Sequence, residues 1–380
     1  MSGFCEICHG VTDVVFDLGV QPICNNFLSN PNDYEETYPL RLAFCKNCSL
    51  LQLEDTLPRE KVFNSETFNY LSSSSTSVVN YYTQLALELY EKYHPSSVIE
   101  IAGNDGVFLK PLLGRGINLL NVEPAHKPAE ISEKSDVPTM VNYFEDVWQN
   151  IRFHPNMICA FDVLAHAERL DDMMVGITQL MSNDTIFVAQ YQDTPRVLEN
   201  LEFDTIYHEH ARYFSLYSVS KLFAKYGLKI VDYKFTNFYG GSFYTVAKKS
   251  TVGNGISKDI NTDTVRRFVW RAMFLASEIK KKVSSLDDVV GIGAPMKSST
   301  LLNYCKLDNL RYLTETNQIK IGKYSPGVHV PVVDESKFFS ENPKNALLLS
   351  WNMRDTILPK LRAKGYDGRV IVPIPEVRIL

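Results

Sequence analysis

The hydrophobic pattern of the chain alternates between helix-like and strand-like segments. Apolar side chains recur at helical spacing over residues 76–93, and a short β-branched run at 98–101 ends in a turn of small residues at 102–106. We predict a helix over 107–113 after this turn and a second strand over 117–122. A strand, a small-residue turn, a helix and a further strand are typical of a doubly wound α/β unit.

The alternation continues beyond this unit and begins again after a glycine-containing linker at 252–255. Further strands are predicted at 157–161, 185–189, 228–235, 242–248, 289–292, 346–350 and 369–372. Helices are predicted at 171–181, 218–226, 262–282, 296–302 and 355–364. The strands at 228–235 and 242–248, with the tight connection Gly240-Gly241, predict a paired antiparallel edge on an otherwise parallel sheet.

Composition narrows the class of protein. The 380 residues are 45% hydrophobic and 22% charged, which is typical of a globular chain of two or three domains. A net charge of -5 argues against a nucleic-acid partner. No run approaches the ~20 apolar residues of a membrane span, and the first residues lack the pattern of a signal peptide. We therefore expect a cytoplasmic protein with no membrane partner, and we separately expect a monomer.

Two cysteine pairs lie within the first fifty residues. Cys5 and Cys8 form one CxxC motif, and Cys45 and Cys48 form the other. In a reducing compartment such pairs indicate a metal before a disulfide, and four thiolates suit a tetrahedral structural Zn²⁺. Two alternatives remain open, namely a catalytic zinc, which would need a free coordination position, and four reduced thiols with no metal.

The turn at 102–106 predicts a cofactor that carries a nucleoside. Glu123 ends the second strand, 20 residues after Gly103, where a carboxylate accepts hydrogen bonds from ribose hydroxyls. The turn is not GxGxxG, which favours S-adenosylmethionine (SAM) over a dinucleotide. The alternative is an ordinary strand-to-helix turn without a ligand. A second glycine turn at 291–295 suggests a second nucleotide site, where Lys297 could meet a diphosphate or could be a solvated surface lysine.

The densest polar cluster of the chain lies at 204–215. Tyr207, Glu209 and His210 bring together a base that is active near neutral pH, a carboxylate and a phenol that can donate to an oxyanion. Removal of a proton beside a ketone requires these groups. His208 and His210 as metal ligands, or a surface loop without chemistry, are the alternatives.

Over essentially its whole length, the chain resembles the SAM-dependent C-methyltransferases of nucleotide-linked deoxysugars. The motifs that carry the resemblance are the cysteine pairs with LGVQP at 18–22, EIAGNDG at 100–106, VLAH at 163–166, DTIYHEH at 204–210, YFS at 213–215, GGS at 240–242, GIGAPMK at 291–297, YSPG at 324–327, WN at 351–352 and VPIPE at 372–376. The resemblance implies an α/β protein of three parts. These are a four-cysteine zinc module at 1–70, a class I SAM methyltransferase (Rossmann-like) domain at 71–250 and a Rossmann-like substrate-binding domain at 251–380.

The resemblance also implies an activity, namely transfer of a methyl group to C3 of a nucleotide-linked 4-keto-deoxysugar through an enolate. The nucleotide that the resemblance implies is dTDP. His210 matches the base of the family, and Tyr207, Glu209, His166 and Tyr70 match its neighbours; the role of Tyr207 as donor to the enolate oxygen is our own assignment. The residues expected to bind SAM are Glu100, Gly103, Asn104, Asp105, Gly106, Glu123 and Asp162. The residues expected to bind the sugar nucleotide are Gly293, Lys297, Tyr324 and Asn352.

The chain departs from the family at several positions near the expected site. Ala102 replaces a glycine, Phe161-Asp162 replaces paired asparagines, an acidic residue is missing from the strand that contains Gln190, and Phe243-Tyr244 replaces a Leu-Arg pair. A different keto sugar or reduced activity is therefore an open alternative. So are an O-methyltransferase and a scaffold that does not catalyse.

Overall fold

A computed structural model describes residues 3–63, 68 and 70–380. The strands, in chain order, are β1 Asp13–Pro22, β2 Thr37–Phe44, β3 Leu51–Leu53, β4 Ser97–Ile101, β5 Asn118–Val122, β6 Thr139–Met140, β7 Met157–Phe161, β8 Ile186–Gln192, β9 Arg212–Tyr213, β10 Leu228–Thr236, β11 Ser242–Lys249, β12 Val289–Ile292, β13 Leu313–Glu315, β14 Val332–Asp334, β15 Asn345–Leu348, β16 Arg369–Val372 and β17 Arg378–Ile379.

The helices lie between these strands. The α-helices are α1 Arg59–Val62, α2 Thr76–Tyr93, α3 His126–Lys134, α4 Phe144–Val147, α5 Leu170–Leu180, α6 Thr194–Glu199, α7 Leu216–Lys225, α8 Thr262–Ser284, α9 Met296–Tyr304, α10 Glu335–Glu341 and α11 Arg354–Ala363. Short 3-10 helices are Ser72–Ser74, Lys110–Leu112, Trp148–Asn150, Phe203–Thr205, Phe238–Gly240 and Trp351–Met353.

The central sheet has seven strands in the order β10-β11-β8-β7-β4-β5-β6. β8, β7, β4, β5 and β6 are parallel, and β11 runs antiparallel to both β8 and β10. β4 and β7 are buried along their whole length, as expected for parallel strands covered on both faces. This order, with one reversed strand near the edge, is the arrangement expected of the predicted class I methyltransferase fold. The chain leaves β4 toward β5 on one side and reaches β7 on the other, so a crevice opens at the carboxyl ends of β4 and β7.

The described residues form two further sheets. A four-stranded sheet has the order β1-β2-β3-β9, so its last strand comes from the segment between α6 and α7. A six-stranded sheet has the order β14-β13-β12-β15-β16-β17 and is parallel except for β17. One hydrophobic core joins residues of β1 and β2 to α8 and to the six-stranded sheet. The N-terminal and C-terminal parts therefore pack against each other.

The predicted elements agree with the structure at most positions. α2, β7 and β16 have the predicted bounds, and the antiparallel edge formed by β10 and β11 is present. The helix predicted over 107–113 was wrong, because only the 3-10 helix Lys110–Leu112 and turns form there. Pro111 provides the reason, since proline lacks the N–H and disfavours helical backbone in the preceding residue.

The domain boundaries at 70 and 250 stay a prediction. Residues 64–67 and 69, beside the first boundary, lie outside the described residues. Among the helices of the described ranges, none has the length and apolar character that crossing a membrane requires.

Candidate functional site: cysteine cluster and active-site crevice

The four predicted metal ligands lie together. The sulfur atoms of Cys5, Cys8, Cys45 and Cys48 are all within 4.8 Å of one another. The two CxxC loops have the same backbone form, since Cys5 N–H donates to Gly10 O at 2.8 Å and Cys45 N–H donates to Leu50 O at 2.9 Å. Two matching loops that aim four thiols at one point make a closed donor set, and this set fits a tetrahedral Zn²⁺.

Arg212 ties the cysteine cluster to the central domain. Its buried guanidinium forms a salt bridge with Glu6, inside the first CxxC motif, and donates to the carbonyl oxygens of Ala167 at 2.5 Å and Leu164 at 3.4 Å. Its backbone pairs with Gln52 of β3. The cluster is therefore fixed against the loop that contains His166.

The predicted SAM turn follows β4 and is tightly built. Ala102, Asn104 and Gly106 have positive φ angles of 51°, 52° and 77°. A Cβ at Gly103 would lie 2.5 Å from Glu100 Oε2 and 2.6 Å from Asn121 Oδ1, so only glycine fits there. Ala102 replaces a glycine of the family in a backbone region that glycine tolerates best.

Two buried carboxyl groups lie at this turn. Glu123 accepts hydrogen bonds from the backbone N–H groups of Asn104 and Ala125, both at 2.8 Å, and burial raises its pKa to about 7. Glu100 Oε2 has no hydrogen-bond partner among the described residues, and burial raises the pKa of Glu100 well above its usual range. A buried carboxyl oxygen without a partner, beside this turn, fits a ligand with hydroxyl and ammonium groups such as SAM.

A short segment covers the turn. Asn104 Oδ1 accepts from Ser72 N–H at 2.9 Å, and Asp105 Oδ2 accepts from Ser73 N–H at 3.1 Å. The Tyr70 hydroxyl shares a hydrogen bond of 2.8 Å with Tyr239, next to the tight connection before β11. The predicted residues Asn104, Asp105 and Tyr70 are therefore brought together, and Asn104 and Asp105 hold the segment at 70–73 over the crevice.

Two of the departures from the family contact each other. Gln190 Nε2 donates to Asp162 Oδ2 at 2.8 Å, and the Tyr82 hydroxyl donates to the same oxygen at 3.2 Å. The Tyr81 hydroxyl donates to Gln190 Oε1 at 2.5 Å. Burial raises the pKa of Asp162. Asp162 and Gln190 thus form one network at the carboxyl end of β7, in which each satisfies the other.

His210 is held as a neutral base. Its Nδ1 lies 3.0 Å from the carbonyl oxygen of Thr205, which only accepts, so Nδ1 carries the proton and Nε2 is unprotonated. The Tyr207 hydroxyl donates to this Nε2 at 2.8 Å. Burial, and then the neighbouring His166, lower the pKa of His210 well below its usual value. His210 keeps intermediate exposure, so a ligand can reach it.

His166 lies beside His210, with ring centroids 4.9 Å apart. His166 Nδ1 donates to the backbone carbonyl of Glu209 at 2.5 Å, which leaves its Nε2 unprotonated as well. The same loop after β7 carries Asp162 and His166. Because β7 pairs in parallel with β4, this loop lies at the same edge of the sheet as the predicted SAM turn.

The Glu209 side chain turns away from His210. Its carboxylate accepts from the Cys24 thiol at 3.1 Å and 3.2 Å, and burial raises its pKa to about 7. Among the described residues, the contact of Glu209 with the histidine pair is made by its backbone carbonyl. Cys24 and Thr205, which sequence reasoning missed as site residues, hold this loop. Neither could be found from a sequence motif, because Cys24 is distant from Glu209 in the sequence and Thr205 acts through its backbone carbonyl.

The residues predicted to bind the sugar nucleotide have different environments in the structure. Gly293 N–H donates to Thr314 Oγ1 at 3.1 Å in the turn before α9, and the Tyr324 backbone forms bridges with Leu28 and Pro331. Asn352 lies against Gly240, beside the cover of the crevice. Lys297 is not a solvated surface lysine, since its side chain is 13% exposed and its Nζ lies 3.8 Å from the Trp351 ring centroid.

Comparisons with known proteins agree with this arrangement. Residues 5–63 match a family model described as "Putative zinc binding domain", residues 78–233 match "Methyltransferase domain", and residues 261–375 match "C-methyltransferase C-terminal domain". These three matches, in this order, are those of a SAM-dependent C-methyltransferase. The chain is similar to C-methyltransferase NovU of Streptomyces niveus, with 27% identity over 99% of this chain and 96% of that protein.

Solved structures match part of the chain. Magnesium protoporphyrin IX methyltransferase of Synechocystis PCC 6803, solved with bound SAH, is 15% identical, with 45% of this chain and 83% of that chain covered and a TM-score of 0.37. The CcbJ methyltransferase of Streptomyces caelestis is 12% identical, with 45% and 90% covered and a TM-score of 0.37.

Proposed function

We propose that the protein transfers a methyl group from SAM to C3 of a nucleotide-linked 4-keto-deoxysugar, with dTDP as the first nucleotide to test. The observation that carries the proposal is His210, a neutral histidine of intermediate exposure whose Nε2 lone pair faces a tyrosine hydroxyl. C-methylation needs a carbon nucleophile, and a carbon beside a ketone becomes one when a base removes its proton. The resemblance of the chain to sugar C-methyltransferases adds the substrate class.

The proposed reaction begins at the C3–H bond of the sugar. His210 Nε2 takes the proton, and the electron pair of the C–H bond moves toward the C4 carbonyl, which becomes an enolate oxygen. We assign Tyr207 as the donor to this oxygen: its hydroxyl, which donates to Nε2 in the free protein, would turn to the enolate oxygen and leave the Nε2 lone pair to the C3 proton. SAM, held by the turn after β4, would supply an electrophilic methyl group: the C3–methyl bond would form as the methyl–sulfur bond breaks, with S-adenosylhomocysteine as the leaving group and the C4 carbonyl restored. His166, unprotonated and adjacent, is a second group that can accept the proton from His210.

The proposed SAM site consists of the turn after β4 and the residues around it. Gly103, Asn104, Asp105 and Gly106 shape the turn, Glu123 would meet the ribose hydroxyls, and Glu100 and Asp162 would lie near the methionine part. Each oxygen of Glu123 accepts one backbone N–H and keeps a lone pair for a further hydrogen bond.

We expect Glu123→Ala to weaken SAM binding by about tenfold or more, since a hydrogen bond to a charged group contributes roughly 1.5–3 kcal/mol. Isothermal calorimetry with SAM measures the change. Glu123→Gln, which keeps one acceptor for the turn, should show an intermediate loss. Glu130→Ala is the matched control, because Glu130 is exposed on α3, where it pairs with Lys134. Equal affinity in Glu123→Ala and Glu130→Ala would contradict the assignment.

The pH profile provides a further prediction. Because the pKa of His210 is lowered, the base stays neutral below its ordinary value of about 6.5, and activity should fall only as the pH drops through the lower value. The titratable groups around His210 are His166, Tyr207 and Tyr213; burial lowers the pKa of His166 and raises the pKa values of both tyrosines. If kcat/KM fell to half of its maximum at a pH above ~6.5 on acidification, that result would contradict this prediction.

For the cysteine cluster we propose a structural Zn²⁺, because all four donors are thiols and the set leaves no position for water or substrate. For the whole protein we keep the sequence-based predictions of a cytoplasmic location and a monomer.

Mass spectrometry tests the proposed function. Purified protein is incubated with SAM and a panel of dTDP-linked 4-keto-deoxysugars, and the reaction is repeated in deuterated water. We expect one or more sugars to gain a methyl group and to exchange the C3 hydrogen in a His210-dependent way. If no sugar of the panel gains a methyl group or exchanges C3 hydrogen, the proposal fails.

A further inference from the structure

The C-terminal part contacts the catalytic loop through a buried charged cluster. Asp204 is fully buried in the 3-10 helix Phe203–Thr205. Trp351 Nε1 donates to Asp204 Oδ2 at 2.7 Å, and Lys297 Nζ lies 3.9 Å from the same oxygen. The Lys297 ammonium also lies over the Trp351 ring. Lys297 and Trp351 come from α9 and from the segment after β15, so two separate elements of the C-terminal part hold one carboxylate.

Burial of the charged groups should keep Asp204, Lys297 and Trp351 in fixed positions. A buried carboxylate is costly unless it is paired and hydrogen-bonded, and a lysine that is 13% exposed has the same need. The indole N–H donates to Asp204 Oδ2, and the Lys297 ammonium lies close enough to that oxygen for an ion pair, while Oδ1 has no hydrogen-bond partner among the described residues. Movement of Trp351 would therefore leave Asp204 without the hydrogen bond that fixes it.

A second contact lies one helical turn away. Thr300 Oγ1, three residues after Lys297 on α9, donates to the carbonyl oxygen of Ile206 at 2.8 Å. Residues i and i+3 share one face of a helix, so α9 presents Lys297 and Thr300 to the same loop. The C-terminal part thus holds the residue before Thr205 and the residue after it.

Thr205 is the residue whose carbonyl determines the protonation of His210. His210 Nδ1–H donates to Thr205 O at 3.0 Å, and the Tyr213 hydroxyl donates to the same oxygen at 3.3 Å. Because Asp204 and Ile206 are both held, this carbonyl has a fixed direction. The tautomer with an unprotonated Nε2 depends on that direction.

We propose that Lys297 and Trp351 are positioning residues that hold Asp204, and through it the Thr205 carbonyl, so that His210 keeps its proton on Nδ1 and presents Nε2 as the base. The catalytic importance of this device rests on the proposed function, whereas the tautomer itself does not. Lys297 is thereby assigned to the buried cluster rather than to a diphosphate, although the glycine turn before α9 had suggested a phosphate ligand.

Nuclear magnetic resonance of protein labelled with ¹⁵N-histidine tests the proposal without turnover. The His210 resonances are assigned from their loss in His210→Gln. In the unchanged chain we expect one fixed tautomer, with Nδ1 protonated and Nε2 unprotonated. In Trp351→Phe, which keeps a ring but removes the N–H donor, the two nitrogen shifts should move toward a mixture of tautomers. Unchanged His210 shifts in Trp351→Phe would overturn the proposal.

The matched control is Trp270→Phe, because Trp270 is 71% exposed on α8 and this substitution removes the same group outside the cluster. This variant should leave the His210 shifts unchanged. If Trp351→Phe does not fold, Lys297→Met provides the same readout with the indole in place. A shift of equal size in Trp270→Phe would also contradict the proposal.

Kinetics then separate the two roles of Lys297. A positioning role predicts that Lys297→Met lowers kcat by about tenfold to a hundredfold, with little change in KM for the dTDP-sugar. A phosphate ligand predicts a higher KM at nearly constant kcat, and that result would overturn the proposal. If no sugar is methylated by the unchanged chain, the proposed function fails, while the tautomer measurement still decides whether the cluster holds His210.

Discussion

His210→Gln should lower kcat for methyl transfer by about 10²- to 10⁴-fold, the usual contribution of a general base, while SAM affinity stays within about twofold. The reason lies in the geometry of one side chain. The Thr205 carbonyl keeps the proton on Nδ1, Tyr207 lies at Nε2, and a lowered pKa keeps the ring neutral. Glutamine is close in size but cannot take up a proton at neutral pH.

Steady-state methyl transfer, followed by mass spectrometry with calorimetry of SAM on the same samples, measures this effect. His94→Gln is the control, since His94 is exposed at the end of α2. His166→Gln should have a smaller effect, because His166 contacts His210 through its ring, whereas the Tyr207 hydroxyl lies at Nε2 of His210. A His210→Gln variant with at least half of the original kcat would show that another group removes the proton.

If the four cysteines hold a structural zinc as proposed, Cys45→Ser should abolish zinc binding and lower the free energy of unfolding by an amount on the order of 5 kcal/mol, since structural zinc sites contribute folding free energy directly. Cys45 is fully buried, and three of the four cysteines pack with Ile7 and Leu50 into the core of the central sheet. Loss of the site therefore also exposes part of that core. The effect should reach the active site, because Arg212 joins Glu6 to the loop that carries His166.

Metal content per chain, measured by plasma mass spectrometry, and thermal unfolding followed by circular dichroism test this prediction. Cys305→Ser is the matched control, since Cys305 is a buried cysteine outside the cluster. It should retain one zinc and lose less stability. Equal zinc content in Cys45→Ser and in the unchanged chain would contradict a four-thiolate site.

Local patterns in the sequence predict much of the fold, because the spacing of apolar residues differs between helices and strands. α2 shows apolar positions at helical spacing, and β7 is a continuous apolar run, so both bounds could be predicted. The segment 107–113 has suitable apolar residues as well, yet Gly106 and Pro111 break the helix. β9 could not be predicted, since a two-residue strand forms only because β3 lies beside it.

The sequence likewise predicts some parts of the candidate site and not others. Residues with a distinctive side chain at a fixed spacing, such as the four cysteines, are found from sequence, and the structure brings them together. The contacts of Glu209 and Lys297 could not be predicted, because their partners Cys24 and Trp351 are distant in sequence. The Thr205 carbonyl left no signal at all, since every residue has a carbonyl group.

Transfer to a sugar deuterated at C3 tests the central claim most directly. A dTDP-linked 4-keto-deoxysugar that the protein methylates is prepared with deuterium at C3 and incubated with SAM, and the product is analysed by mass spectrometry and NMR. We predict a product that carries the new methyl group on C3 and has lost the deuterium, because His210 must remove it before the methyl group arrives. A product that keeps the deuterium and carries the methyl group on oxygen would contradict the account.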